Sequence, residues 1–438
     1  MNFSLNNMDM AQESGKIKIL VLDKDDNRLE GHAYSTYQSL PECYDKRMVA
    51  MNTMHNDMSI ALLNCKSLST KLFLFIWRKW HKLYCLVKYG IIKKNKKEHY
   101  LRLFFGSEYT PFSAKRILAK HSNFKPDIIT IHWTSQFLTS KIIRDLHKKT
   151  KALIAFVGVD EAHMTAGCHY PVDCEGYKTG CSDCPIFVRG KRLPSDMMRR
   201  KIKNFRDVPF VVLGGQNFCK KAADSSVLKL ALSSFSYVRI PQVTIYKRLD
   251  ARKSFGISED SYVVLFAAAI LEETRKGLVY ALEALREISD KIPNLVLLLP
   301  GKITHMYDIP NVKIVSPGYL DKEDLFKAFC ASDCFLSTTI ADAGPMMVNY
   351  SVALGIPVVS FSVGVAQDLI VHKNNGYIAR FKDSKDIANG IFYLSQLSEE
   401  EKEKMKLHCF EITEKWKCKK TIYEQLADFY YKAYSNNK

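Results

Sequence analysis

YVVLFAAAILEETRKGLVYALEALREISDKIPNLVLLLP, residues 262–300, decides the fold. Two runs in it, Tyr262–Ala268 and Leu295–Leu299, are almost continuously apolar. Such runs suit strands buried on both faces of a parallel sheet. The stretch between them, Gly277–Ser289, spaces its Leu and Ala residues as one face of a helix. A strand, a helix and a second strand in that order form a βαβ unit.

The same alternation extends in both directions. Upstream, Ile17–Leu22, Asp127–His132, Ala152–Val157 and Pro209–Leu213 read as strands. Downstream, Val312–Val315, Cys334–Ser337 and Pro357–Phe361 do the same, with Lys322–Cys330 as a helix. Two sets of strands predict an α/β protein of two Rossmann-like domains with parallel sheets. The polar passage IPQVTIYKRLDARKSFGISED separates them. The expected domains are 1–240, 241–418 and a C-terminal helix over 419–438 that packs back toward the first domain.

With 438 residues, 47% of them hydrophobic, the chain is long enough for two cores. A net charge of +18 biases its surface toward anions such as phosphates or an anionic membrane face. The first residues, MNFSLNNMDMAQESGK, lack the basic-then-apolar pattern of a signal peptide. No apolar run reaches the roughly 18–20 residues of a membrane span. A cytoplasmic chain is expected, in which clustered cysteines more often bind metal than pair.

GCHYPVDCEGYKTGCSDCP, residues 167–185, holds four cysteines. Cys181 and Cys184 form a C-x-x-C, and Cys168 and Cys174 lie close in sequence. That spacing predicts one structural zinc ion, with His163 or His169 able to replace a thiolate. Two disulfides or free, packed thiols are the other readings. No catalytic metal is expected. Residues 71–99, KLFLFIWRKWHKLYCLVKYGIIKKNKKEH, interleave aromatics with Lys and Arg. Leu72, Phe75, Ile76, Leu83 and Val87 follow one helical face, with Trp77 and Trp80 beside it. This is either a membrane-surface helix or a domain helix with a solvated basic face.

Three stretches together resemble the family 4 retaining glycosyltransferases of bacterial surface-polysaccharide synthesis, in the colanic-acid-type subgroup with a cysteine-rich loop. They are IHW through the cysteine segment, ETRKGLVYALEAL, and ADAGPMMVNYSVALGIPVVSFSVGVAQDLIVHKNNGYIA. The resemblance implies the GT-B fold, two Rossmann-like domains facing across a cleft. It implies a hexosyltransferase with a UDP- or GDP-linked nucleotide sugar as donor and a lipid-linked or free glycan as acceptor. Arg275 and Lys276 then clamp the donor diphosphate. Gly344, Pro345, Met346 and Met347 offer backbone at a helix start, where amides bind anions. Asp342 takes the position of the acid that holds donor-sugar hydroxyls. Tyr350 stands where the family has a second acid, which holds ribose. Asp160 matches the Asp of a His-Asp pair next to the reacting sugar, but Val159 stands at the His position. Asp160 and Asp342 are the catalytic candidates.

The two departures, Val159 and Tyr350, define an alternative: a degenerate glycosyltransferase relative that binds or scaffolds without catalysis. A nucleic-acid-binding role is not expected, because the basic residues do not gather around the cysteines and no reader motif appears.

Overall fold

The computed structural model describes residues 15–26, 32–53, 60–62, 68–104, 108–342, 344 and 346–434. The chain divides into two compact units. Residues up to Ser236, together with the segment from Lys420 onward, make the first; Tyr237–Lys419 make the second.

Among the described residues the first unit has nine strands. They are β1 (Ile17–Asp26), β2 (Tyr44–Thr53), β3 (Ile60–Leu62), β4 (Lys93–Lys94), β5 (Ile128–Ile131), β6 (Leu153–Val157), β7 (Phe187–Arg189), β8 (Phe210–Gly214) and β9 (Ser234–Ser236). Seven form a parallel sheet in the order β3-β2-β1-β5-β6-β8-β9. The remaining two, β4 and β7, pair antiparallel. Every residue of β5 and β6 is buried, as helices on both faces require.

The second unit holds β10 (Tyr262–Leu265), β11 (Leu295–Leu298), β12 (Val312–Val315), β13 (Cys334–Ser337), β14 (Val358–Phe361) and β15 (Gly376–Ala379). All run parallel, in the order β12-β11-β10-β13-β14-β15. The quoted βαβ unit is β10, the Leu278–Ile288 helix and β11, with Val263 opposite Val296 and Leu265 opposite Leu298. The helix buries Leu278, Ala281, Leu282, Leu285 and Ile288.

The strand order reverses direction between β10 and β13. Loops leaving the carboxyl ends of two such strands diverge and open a crevice, the usual ligand site of an open parallel sheet. Here those are the loops after Leu265 and after Ser337. Asp333 fixes the other end of the same strand pair. It accepts from Val263 N at 2.7 Å and from the buried Arg252 Nη2 at 2.9 Å.

The sequence reading did not identify β2, β3, β4, β7, β9 or β15. β2 begins YDKRMVAM, where charge interrupts the apolar signal. The others are short, and β3, β9 and β15 lie at sheet edges, where one side lacks a neighbouring strand and polar residues are tolerated.

The C-terminal segment forms the Ile422–Phe429 helix and a wider π-type turn over Tyr430–Tyr434. Thr421 and Glu424 cap the helix reciprocally, which fixes its start. Tyr423, Leu426, Ala427 and Tyr430 enter the first unit's core beside β1 and β2. Tyr44 donates to the Tyr423 carbonyl at 2.8 Å, and Tyr430 to Asp127 at 2.9 Å. The last elements are therefore structural parts of the first sheet. Leu426→Ala is expected to cost about 2–5 kcal/mol of stability, as for any fully buried leucine. Leu407→Ala, at an exposed helix position, should change stability by no more than about 0.5 kcal/mol. Urea denaturation of both variants checks this; equal, small effects would mean that the C-terminal helix is only loosely attached.

Candidate functional site

The loop after β10 ends in a short 3₁₀ turn, Thr274–Lys276, immediately before the Leu278–Ile288 helix. Two hydrogen bonds fasten it to the loop after β13. Ile340 N donates to the Arg275 carbonyl at 2.8 Å, and Thr338 Oγ1 to the Gly277 carbonyl at 2.8 Å. Gly277 sits at φ +71°, and a Cβ there would lie 2.0 Å from the Thr338 carbonyl oxygen. Only glycine lets the two loops approach this closely.

That approach brings the two expected cations onto one carboxylate. Arg275 Nη1 lies 2.6 Å and Lys276 Nζ 2.7 Å from Asp342 Oδ2. Arg275 also grips Glu273, at 2.7 Å through Nε and 3.1 Å through Nη2. Asp342 Oδ1 accepts from Gly344 N at 3.1 Å. Burial pushes the Asp342 carboxyl up, but Lys276 and Arg275 outweigh it and hold the group below its ordinary range. Its side chain is 12% exposed, so water screens these contacts only in part. Glu273 was not singled out in the sequence, although it directly precedes the TRK turn.

Met346 and Met347 open the Met346–Ala353 helix and are half-buried. Pro345 lies outside the described residues. Tyr350, at the expected ribose position, packs its ring edge-on against Phe326 at 5.2 Å, with Phe329 at 6.4 Å. Its ring thus joins the core of the second unit.

In the first unit Asp160 is 1% exposed, and both its oxygens are engaged. Oδ1 accepts from Ala162 N at 2.7 Å. Oδ2 lies 2.7 Å from His169 Nδ1. The other ring nitrogen of His169 lies 2.7 Å from Ser135 Oγ, and the Trp133 ring stands 4.3 Å from the imidazole. Asp160 therefore has a histidine partner, but it comes from the CHY of the cysteine segment, nine residues on. Val159 packs beside the first core. His163 does not reach an open surface: it is buried, its Nε2 meets the Val157 carbonyl at 3.0 Å, and burial pushes its pKa down to about 4. Lys201 is also buried and spans the loop, donating to the carbonyls of Ala162 at 2.7 Å and Thr165 at 2.8 Å. Ser135, Trp133 and Lys201 were missed in the sequence; IHW was the signal for Trp133 and the SQF run after it for Ser135.

The geometry does not support the zinc expectation. Among the described residues no group of three or more His, Cys, Asp or Glu is placed to hold a metal ion. Cys168, Cys174, Cys181 and Cys184 are free thiols around a cavity of about 10 Å³. Cys168, Cys181 and Cys184 belong to the hydrophobic core. Burial, then their mutual proximity, pushes the Cys168 thiol well up; burial raises Cys181 to about 11. Other interactions hold the loop. Arg102 pairs with Asp173 at 2.6 Å and with Glu98, while its carbonyl accepts from His169 N at 3.1 Å.

The basic aromatic segment is not one helix: it comprises the Leu68–Tyr89 helix, then β4 and the start of the Lys96–Arg102 helix. Leu72, Ile76, Leu83 and Val87 share one side of the first helix and are exposed, Val87 by 80%. Trp77, His81, Tyr84 and Lys88 share another side, and Trp77 and Trp80 line a groove. No helix among the described residues is long and apolar enough to cross a membrane.

Comparison with known proteins supports the fold. Residues 247–407 match the family of glycosyl transferases group 1. A glycosyltransferase of Methanocaldococcus jannaschii whose function is uncharacterised is 23% identical over 154 residues, which cover 33% of this chain and 38% of that protein. The chain thus spans well under half the length of that relative. A sucrose-phosphate synthase from Thermosynechococcus elongatus superposes with a TM-score of 0.64 at 14% identity, over 96% of this chain and 100% of the other. HepE from Anabaena, solved with UDP and glucose, superposes with a TM-score of 0.56 at 12% identity, over 94% and 98%. The two parallel α/β units have the GT-B fold of these neighbours, and the stretch that matches the glycosyl transferases group 1 model contains Arg275, Lys276 and Asp342.

Proposed function

We propose that the protein is a retaining glycosyltransferase that moves a hexose from a UDP- or GDP-linked sugar to a glycan, lipid-linked or free, in bacterial surface-polysaccharide synthesis. The observation that carries this reading is the meeting of Arg275 and Lys276 on Asp342 at the reversal of the second sheet. Two adjacent cations at a sheet switch point suit a diphosphate, whose oxygens compete for them with Asp342 and Glu273. In transfer, the bond from the sugar carbon to the donor phosphate breaks, and its electron pair goes to the diphosphate. Arg275 and Lys276 stabilise that charge. The acceptor oxygen bonds to the same face of the sugar, and its proton passes to a diphosphate oxygen. Asp342, displaced from the cations, is free to orient sugar hydroxyls. Asp160 acts through His169 and Ser135 as a positioning group.

A non-catalytic scaffold is the second reading. It is favoured by the engagement of both Asp160 oxygens and by the packing of Tyr350 into the core. Slow hydrolysis of UDP-glucose or GDP-mannose by the purified protein separates the two.

The exposed apolar stripe of the Leu68–Tyr89 helix supports docking on an anionic membrane face. Arg78, Lys79 and Lys82 would supply the attraction, and Leu72, Ile76, Leu83 and Val87 the insertion. Such docking is reversible and brings a lipid-linked acceptor within reach.

Three outcomes follow from these assignments. Arg275→Ala with Lys276→Ala should weaken UDP and GDP binding more than tenfold by calorimetric titration, since each charge-assisted contact contributes roughly 1.5–3 kcal/mol. Unchanged affinity would place the phosphate site elsewhere. Asp342→Asn removes a competing carboxylate, so affinity for the bare nucleotide should hold or rise while turnover of the nucleotide sugar falls. A matching loss of nucleotide affinity would assign Asp342 to the nucleotide instead. The wild type should sediment with phosphatidylglycerol vesicles at low salt and be released at high salt, and the Arg78, Lys79 and Lys82 to Glu variant should not sediment. Wild type left in the supernatant at low salt would remove the membrane from the account.

A further inference from the structure

The Leu68–Tyr89 helix roofs a groove of about 720 Å³ within the first unit. Its size is that of a ligand pocket, roughly 300–1,000 Å³. One wall is aromatic: Trp77, Trp80 and Tyr84 from the helix, with Tyr109 opposite. The other wall is polar, with Lys141, Asp145, Arg200 and Asn204.

The aromatic wall is braced. Trp77 stacks on His81 with ring centroids 5.3 Å apart and planes 4° from parallel, and His81 meets Tyr109 at 4.7 Å. Tyr109 donates to the Tyr84 hydroxyl at 3.0 Å. The Arg200 guanidinium lies 4.5 Å from the Tyr109 ring centre and donates to Tyr84 at 3.3 Å. Trp80 leaves 67% of its surface in water. The polar wall is also ordered: Asn204 donates to Ser140 Oγ at 2.8 Å and accepts from Arg144 at 2.6 Å, and Lys141 pairs with Asp145 at 2.6 Å.

Each alternative occupant fits this lining poorly. A lipid chain would bury the Lys141–Asp145 pair, Arg200 and Asn204 against hydrocarbon and offer them no polar partner of its own. A phosphate or polyanion would meet Asp145 and Glu108 beside the two cations, so the lining offers it no net charge. A pyranose chain is amphipathic in the complementary sense. Its axial C–H face covers an aromatic ring, and its equatorial hydroxyls point sideways to polar groups.

We propose that this groove binds a neutral saccharide chain, a site for the glycan on the first unit separate from the donor clamp on the second. The assignment of that glycan as acceptor rests on the transferase reading; the saccharide site itself does not.

Trp77 and Trp80 are two of the chain's four tryptophans, so occupancy should be visible in intrinsic fluorescence. The full-length protein is titrated with cellotetraose, maltotetraose and chitotetraose, with UDP binding and vesicle sedimentation measured on the same samples. At least one tetrasaccharide should give a saturable change. Trp80→Ala should weaken it at least tenfold and Trp80→Phe should restore most of it, with UDP affinity unaltered in both; the exposure of Trp80 makes these substitutions compatible with folding. If no tetrasaccharide gives a saturable change, or if Trp80→Ala leaves its affinity intact, the proposal is overturned. Loss of vesicle binding in Trp80→Ala without any saccharide response would assign the groove to the membrane and likewise overturn it. Saccharide binding without UDP binding would leave the groove standing and remove the transferase reading.

Discussion

Arg275, Lys276 and Asp342 meet because two loops are pinned together at Gly277, and the second unit's chemistry depends on that contact. Two cations this close repel unless something negative lies between them. In the unliganded protein Asp342 and Glu273 supply that charge. For the proposed diphosphate site the arrangement is preorganised: its charges are already oriented and partly removed from water before any ligand arrives. It also sets a threshold. A ligand must offer a better anion than a carboxylate, which a doubly charged diphosphate does and a neutral sugar does not.

The first unit solves a different problem. Its loops after β5 and β6 carry buried polar groups that must be paired inside the protein. Asp160, His169 and Ser135 satisfy one another, and Lys201 closes the loop over two carbonyls. The cysteine segment contributes His169 to this network and packs its thiols into the core. Hydrogen bonds of this segment position the residues around Asp160. Over this unit lies a helix with unusually exposed apolar side chains, one side turned outward and another roofing the aromatic groove.

The parts legible in the sequence are those written in uninterrupted apolar runs. β10, β11, β13 and β14 carry such runs, and their order and the loops between them placed Arg275, Lys276 and Asp342 correctly in neighbouring loops. β2 was not legible, because Asp45, Lys46 and Arg47 dilute its pattern at a position where pairing with β1 decides the structure. The pairing of Asp160 with His169 was hidden by the turn of chain between them. The C-x-x-C spacing reports how far two cysteines can reach, but where their thiols point depends on Arg102 and on backbone bonds from distant residues. Tyr350 shows the same limit: its sequence position suggests a ligand contact, while Phe326 and Phe329 decide where its ring goes.

The most direct measurement is a structure of the protein with UDP bound. The account predicts diphosphate oxygens within hydrogen-bonding distance of both Arg275 and Lys276, with the Asp342 carboxylate moved off them. A diphosphate bound away from this pair, or an intact contact from Asp342 to both cations beside a bound nucleotide, would contradict it.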